Sequence, residues 1–247
     1  MQQDLGADLV DVALIVVAGI FSLIFSAVLA TILIELIGRP QALDPQKLAT
    51  NPFLGIPTQL FAYAIVVGFM AFLASVRHGQ SLGRTIHWNM PAGRLALTAL
   101  GAGAVLGFSS QLASTLLERW TPKSLPIEQF FKGPASAYLL AGFGILVAPV
   151  VEELFFRGFL YPALARWTGS IVSILLTAAA FAALHGAQLA YAWAPLMVLF
   201  GVGLVLTIIR AKSGSVAACV IVHMGYNLTL FVMLYFLTGG FHHMERA

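Results

Sequence analysis

Residues 149–157 read PVVEELFFR, and the runs on either side of them are almost entirely apolar. Charged side chains are costly inside a bilayer, so they are rare in spanning helices and commonly mark functional sites. The 247 residues are 60% hydrophobic and only 9% charged, whereas a soluble domain carries about 25% charged residues. The composition therefore predicts a membrane protein, in which the three charges of this stretch need an explanation.

Seven apolar stretches are long enough, or nearly so, to cross a bilayer as helices of about 20 residues. They are 9–37, 58–76, 95–117, 137–163, 170–188, 190–209 and 216–238. The sequence thus predicts an all-α polytopic bundle of about seven transmembrane helices in a single membrane domain. The polar connection 118–135 is predicted to lie on the bilayer surface.

Composition also excludes several classes of function. The net charge is only +3, and the basic residues are scattered among short loops, which is unlike the basic stripe of a nucleic-acid-binding protein. Cys219 is the single cysteine, so a disulfide within the chain and a cysteine-based metal site are excluded. We therefore expect the lipid bilayer, and no nucleic acid, as a partner.

The three charges differ in what they can reach along one helix. Glu153 and Arg157 are four residues apart, so they share a face and can pair. Glu152 is rotated by about 100° from Glu153, and no cation lies one turn away from it. An unpaired carboxylate in a membrane is a candidate functional group, so Glu152 needs a partner from another span.

Two later apolar runs carry histidines, FAALHGAQ with His185 and IVHMGYNLTL with His223 and Asn227. A turn is predicted near 167–170, about 16 residues from both Glu152 and His185. At 1.5 Å per residue both residues lie roughly 20–25 Å from the side of the bilayer on which this turn lies. His223 lies about 13 Å and Asn227 about 20 Å up the last span by the same measure. The sequence thus predicts that these side chains converge near the middle of the bilayer.

These side chains are suited to the hydrolysis of an amide bond. A carboxylate and an imidazole can activate a water between them, and a second imidazole with a side-chain amide can stabilise the developing oxyanion. Alternatively, Glu152, His185 and His223 could hold a zinc ion with one open position. The sequence has no HExxH motif and no serine in a nucleophile elbow.

Three motifs in this order resemble those of the CPBP family of intramembrane proteases, also called the Abi or CAAX-protease family. They are EExxxR at 152–157, FxxxH at 181–185 and HxxxN at 223–227. The resemblance covers about 135–235. It implies an N-terminal three-span portion with a surface loop (1–135), a catalytic core (136–238) built from the fourth, fifth and seventh spans, and a tail (239–247).

The resemblance implies an intramembrane endopeptidase that cuts a membrane-associated protein or peptide. Glu152 and His185 would activate water, and His223 and Asn227 would stabilise the oxyanion. Glu153 and Arg157 would form a supporting pair. The family has been described both as metal-dependent and as glutamate-type; we favour the glutamate type, without a required cofactor and with zinc as the alternative. The compact chain is typical of the family's bacterial members, which implies the bacterial inner membrane and does not imply prenylated substrates.

Other interpretations of the same residues are open at this stage. Glu153 and Arg157 can be a buried pair that fixes helix packing. His185 can be a helix-end histidine bonded to a carbonyl near the 186–190 turn, and His223 with Asn227 can be hydrogen bonds between helices. The whole chain can also be a proton-coupled transporter, because such proteins use intramembrane Glu and His, or a non-catalytic immunity protein that binds a peptide.

Overall fold

The computed structural model describes residues 7–37, 51–131 and 133–244, so the predicted tail is described up to residue 244. Within these residues the fold is all-α, without a strand. The helices are α1 (Leu9–Leu36), α2 (Pro52–His78), α3 (Leu82–Thr85), α4 (Arg94–Leu116), α5 (Pro134–Leu146), α6 (Ala148–Glu153), α7 (Tyr161–Leu184), α8 (Trp193–Ser213) and α9 (Val216–Leu237). A π-helical segment, Leu154–Leu160, joins α6 to α7.

In the part of the chain that the structure describes, six helical stretches are long and apolar enough to cross a membrane, if Pro134–Leu184 is counted as one stretch of 51 residues. Gly169 interrupts that stretch with φ 76° and ψ 171°, a conformation that glycine adopts at little cost. The break confirms the turn that was predicted between the fourth and fifth spans. With its two arms counted separately, the fold agrees with the prediction of about seven spans.

The two arms on either side of Gly169 fold back against each other. The rings of Phe156 and Phe181 pack edge to face with their centroids 5.3 Å apart. Glu152 and His185 lie four residues beyond these phenylalanines, one on each arm. The contact between the two rings supports the prediction, made by counting residues from the turn, that the glutamate and the histidine lie at a common level.

The first arm is not the continuous helix that was predicted for 137–163. Proline cannot donate the backbone hydrogen bond that a helix interior requires, and α5 ends at Leu146, with Pro149 in the first turn of α6. The chain then widens into seven residues of π-helix directly after Glu153. π-Helical segments are rare and frequently lie at functional sites.

Arg210 completes the hydrogen bonding of this π-segment. A π-helical carbonyl accepts from the N–H five residues ahead, and for Arg157 that residue is Pro162, which has no N–H. The Nε of Arg210 donates to the Arg157 carbonyl instead, at 3.0 Å. Because a buried carbonyl without a donor is costly, this bond fixes the end of α8 against the segment.

Helices α4 and α9 approach so closely that glycine is required between them. A Cβ added at Gly103 would lie 2.2 Å from the carbonyl oxygen of Val222, and one added at Gly107 would lie 2.8 Å from Cβ of Thr229. Small residues four apart allow such approach of membrane helices. The glycine-rich stretch 101–107 therefore packs α9, the helix that carries His223, against α4.

This contact predicts a contrast between two neighbouring glycines. Gly103→Ala is expected to destabilise the protein by about 1–3 kcal/mol, since the added methyl group must displace backbone atoms of α9. Gly101→Ala is the control, because a Cβ at that position meets nothing within 4 Å. Thermal unfolding of both variants in the same detergent measures the difference. Equal unfolding temperatures would contradict the assigned contact.

Helices α1 and α2 are joined by an ion cluster at one end. Asp11 is fully buried, and its carboxylate accepts hydrogen bonds from Nε of Arg77 at 2.6 Å and from the ring of His78 at 2.8 Å. Asp8 caps α1 and also pairs with Arg77 at 2.9 Å. These contacts fix α1 beside α2, which in turn packs against α5.

Candidate active site

Glu153 and Arg157 form a buried ion pair at the start of the π-segment. Nη1 of Arg157 donates to Oε1 of Glu153 at 2.7 Å, and neither side chain is exposed. The guanidinium also donates to the Gly203 carbonyl at 3.0 Å and to the Thr207 hydroxyl at 3.3 Å. Arg157 thus holds Glu153 on one side and α8 on the other, and the pairing that the four-residue spacing predicted is confirmed.

His223 lies between the two glutamates. Its Nδ1 is 2.9 Å from Oε1 of Glu153, and its Nε2 is 4.0 Å from Oε2 of Glu152. An ionised carboxylate accepts hydrogen bonds only, so Nδ1 carries the proton that binds Glu153. The second ring nitrogen therefore faces Glu152, and Glu153 determines its orientation.

Exposure separates the two adjacent glutamates. The side chain of Glu152 keeps 14% of its surface accessible, whereas Glu153 keeps none and already has a cation beside it. The positive charge of Arg157 balances the negative charge of Glu153. If Glu152 and His223 share one proton in addition to the proton on Nδ1, the four side chains together have no net charge. This favours Glu152 as the carboxylate that can meet a reacting molecule and exchange a proton.

His185 ends α7 and has one ring nitrogen fixed by the backbone. Its Nδ1 is 2.9 Å from the carbonyl oxygen of Phe181, and because a carbonyl can only accept, Nδ1 must donate. In the neutral ring Nε2 then carries a lone pair and can accept a proton. This bond agrees with the alternative interpretation of His185 as a helix-end histidine bonded to a carbonyl. The carbonyl belongs to Phe181, however, and so lies before the 186–190 turn and not in it.

Asn227 joins α9 to the end of α5. Its side-chain nitrogen donates to the Gly144 carbonyl at 2.6 Å, so it does form a hydrogen bond between helices. A primary amide has two N–H donors, and this bond uses one of them. By the depth estimate, Asn227 was expected to lie closer to Glu152 than His223 does. In the structure His223 lies against Glu152 instead. A simple residue count does not account for helices that tilt and begin at different depths.

The alternative zinc site is not assembled in this arrangement. Among the residues with described positions, no three His, Cys, Asp or Glu side chains are close enough to hold a metal ion. The set Glu152, His185 and His223 therefore does not fit a metal ion in this arrangement.

Sequence reasoning missed two further contributions to this region. Gly203 and Thr207 of α8 bind Arg157, and they lie on one helical face with Arg210, a spacing of four and three residues that could have indicated a shared partner. On α2, the ring of Tyr63 stacks on Phe143 of α5, with the centroids 5.8 Å apart, next to the Gly144 carbonyl that Asn227 binds.

The family of this region follows from a comparison with protein-family models. Residues 134–229 match the model described as type II CAAX prenyl endopeptidase Rce1-like. The site-bearing segment is Rce1-like. The match confirms the resemblance to the CAAX-protease family that the three motifs predicted, and it supports a membrane-embedded protease in general terms. The Rce1-like segment contains Glu152, His185, His223 and Asn227, and it does not include α1, α2 or α4. No curated protein and no solved structure matches the chain.

Proposed function

We propose that this protein is an intramembrane endopeptidase that hydrolyses a peptide bond of a membrane-associated protein or peptide, with water activated by Glu152 and His185. The observation that supports it most is the unequal pair of glutamates. Glu153 is buried and neutralised by Arg157, whereas Glu152 is partly accessible and faces Nε2 of His223 at 4.0 Å. A solely structural pair would not need the second carboxylate.

In the first step, water attacks the carbonyl carbon of the peptide bond. Glu152 takes a proton from the water, assisted by Nε2 of His185, whose other nitrogen is held by the Phe181 carbonyl. General bases placed in this way contribute about 10²- to 10⁴-fold to the rate. The new C–O bond forms as the carbonyl π electrons move to oxygen, which becomes an oxyanion.

The oxyanion needs hydrogen-bond donors in a water-poor site. A protonated His223 presents Nε2–H while Glu153 holds its Nδ1, and Asn227 has a second N–H beyond the one that binds Gly144. Preorganised donors of this kind are often the largest single contribution to catalysis. When the C–N bond breaks, the leaving amine takes the proton that Glu152 had accepted, so protons and charge balance over the cycle.

We further propose that the reaction is of the glutamate type and requires no metal, with zinc as the alternative. The proposed location is the inner membrane of a bacterium, as expected for the compact members of the family. The substrate class is a peptide held at the membrane. The family description reads CAAX prenyl endopeptidase, so a prenylated probe belongs in the test beside an unmodified one.

The test uses the purified protein in liposomes with two fluorogenic peptides, one ending in a farnesylated CAAX sequence and one carrying a single apolar anchor. His185→Gln is expected to lower cleavage by about 10²- to 10⁴-fold, because the lone pair on Nε2 is lost. His242→Gln is the matched control, since His242 lies exposed after α9. Wild-type rates are expected to be unchanged by a zinc chelator.

Three results would overturn parts of this proposal. Cleavage of either peptide at the wild-type rate by His185→Gln would remove the histidine from the mechanism. Loss of activity with chelator, restored by zinc, would replace the glutamate-type mechanism by the metal-dependent one. If neither peptide is cut, new protein N-termini in native membranes containing the wild type are compared with those containing His185→Gln, and identical sets would contradict a protease.

A further inference from the structure

The phenylalanine of the FxxxH motif has no part in the proposed reaction, although its side chain lies within the site. Phe181 is only 1% exposed and lies one turn before His185 on α7. Its ring contacts three other aromatic rings and one cation. Because a phenyl ring cannot exchange a proton, any contribution from Phe181 must come through the groups that it contacts.

Two of these contacts are with the histidines that are assigned to different steps of the reaction. The ring of Phe181 lies 5.0 Å from that of His185 and 5.8 Å from that of His223, centroid to centroid, with the planes inclined by 51° and 72°. Aromatic rings at such distances prefer edge-to-face arrangements over parallel ones. One side chain therefore contacts an imidazole of α7 and an imidazole of α9 at the same time.

Hydrogen bonds alone leave both imidazoles with some freedom. Nδ1 of His185 donates to the Phe181 carbonyl and Nδ1 of His223 donates to Glu153, each at 2.9 Å. A hydrogen bond tolerates a deviation of about 30° from linearity, so each ring can still tilt about its fixed nitrogen. The contact with the phenyl ring opposes this tilt. Nε2 of each histidine, the atom that must reach the water or the oxyanion, is thus held by two contacts.

Phe181 is itself held by the supporting ion pair. The guanidinium carbon of Arg157 lies over its ring at 4.8 Å from the centroid, and the ring of Phe156 packs edge to face at 5.3 Å. A cation within about 6 Å of a ring centroid is attracted to the face of the ring. Arg157 also binds Glu153, so the cation that pairs with the buried glutamate fixes the phenyl ring as well.

We propose that Phe181 is a positioning residue, which holds the rings of His185 and His223 in their reactive orientations while Arg157 holds the phenyl ring. This inference rests on the proposed function and adds to it a role for the first residue of the FxxxH motif. Reacting groups that are misplaced by about 1 Å can lose about a hundredfold in rate. A flexible aliphatic side chain at this position would leave both imidazoles free to tilt.

The kinetic experiment removes the flat ring and retains an apolar side chain. Phe181→Leu is expected to lower kcat by about ten- to a hundredfold and to change KM by less than about twofold. Phe241→Leu is the matched control, because Phe241 is also buried, at 3% exposure, and packs edge to face with Tyr138 and Tyr235. It is expected to lower the unfolding temperature by a similar amount and to keep the wild-type kcat. Phe181→Met, with a flexible side chain that fills gaps, repeats the test if Phe181→Leu does not fold.

A second measurement reports the orientation of the imidazoles without any substrate. Protein labelled with ¹⁵N-histidine gives ring-nitrogen NMR signals that distinguish the two tautomers, and His185→Gln and His223→Gln assign them. In the wild type, His185 is expected to show one tautomer with the proton on Nδ1. In Phe181→Leu the signals of both histidines are expected to move toward the average of two tautomers, whereas Phe241→Leu should leave them unchanged.

The outcomes separate this inference from the proposed function. Wild-type kcat in Phe181→Leu, or histidine signals at their wild-type positions, would overturn the inference. An equal loss of kcat in Phe241→Leu would also overturn it, since the effect would then follow from stability alone. A rise in KM with unchanged kcat would assign Phe181 to substrate binding instead. If the wild type shows no histidine-dependent cleavage, the proposed function fails, and the NMR signals still decide whether Phe181 orients the two rings.

Discussion

Glu152→Gln is expected to reduce cleavage by about 10³-fold or more while the protein stays folded, because a proton-accepting carboxylate is replaced by an amide of the same shape. The substitution removes a charge that has no direct ion-pair partner in its own helix, and its side chain is 14% accessible. Initial rates with the two fluorogenic peptides measure the loss, and the unfolding temperature in detergent reports the fold. We expect the unfolding temperature to stay at or slightly above the wild-type value.

Two results would contradict the role assigned to Glu152. Residual cleavage above about a tenth of the wild-type rate would mean that another base accepts the proton. A large loss of stability would mean that the carboxylate is a structural partner of His223.

Proton-coupled uptake by liposomes containing the wild type, without cleavage, would instead favour the transporter interpretation.

Arg157→Leu is expected to destabilise the protein by about 3–5 kcal/mol, because removal of one partner leaves a buried charge on Glu153 without compensation. The loss is larger than for Lys212→Leu, a matched control at an exposed cation of α8. Thermal unfolding in detergent and the yield of monodisperse protein measure the difference. Arg157→Leu is also expected to be inactive, since the fold around His223 is lost.

The double variant Glu153→Gln/Arg157→Leu distinguishes charge from packing. Removal of both charges is expected to recover most of the stability, as is commonly found when buried ion pairs are replaced by neutral residues. Activity is not expected to recover, because Nδ1 of His223 loses the carboxylate at 2.9 Å that orients the ring. A double variant as unstable as Arg157→Leu would show that the bonds from Arg157 to α8 matter more than its charge pair.

The arrangement of spans could be predicted because it depends on composition. A helix in lipid must be apolar for about 20 residues, so the spans follow from hydropathy, and the turn at Gly169 follows from the gap between two such runs. The glycine-rich stretch 101–107 is typical of closely packed membrane helices, although it does not indicate which helix would contact it. The pairing of Glu153 with Arg157 could also be predicted locally, because it requires only a spacing of four residues on one helix.

Features that depend on contacts between distant segments could not be predicted in the same way. The π-helix after Glu153 depends on its neighbours, including the bond from Arg210, more than fifty residues later, to the Arg157 carbonyl. His223 reaches both glutamates because of the depth at which α9 starts, which residue counts along separate helices do not determine. Tyr63 was missed because a tyrosine in an apolar span is ordinary until its neighbours are known.

The order in which the partners of the glutamates are synthesised has a consequence for biogenesis. Glu153 and Arg157 lie four residues apart in one segment, so they can neutralise each other while that segment is still entering the lipid from the translocon. His223 follows Glu153 by 70 residues, on a helix that the ribosome completes much later. A nascent chain therefore carries this ion pair early, whereas the proposed hydrolytic centre can assemble only after α9 has been inserted.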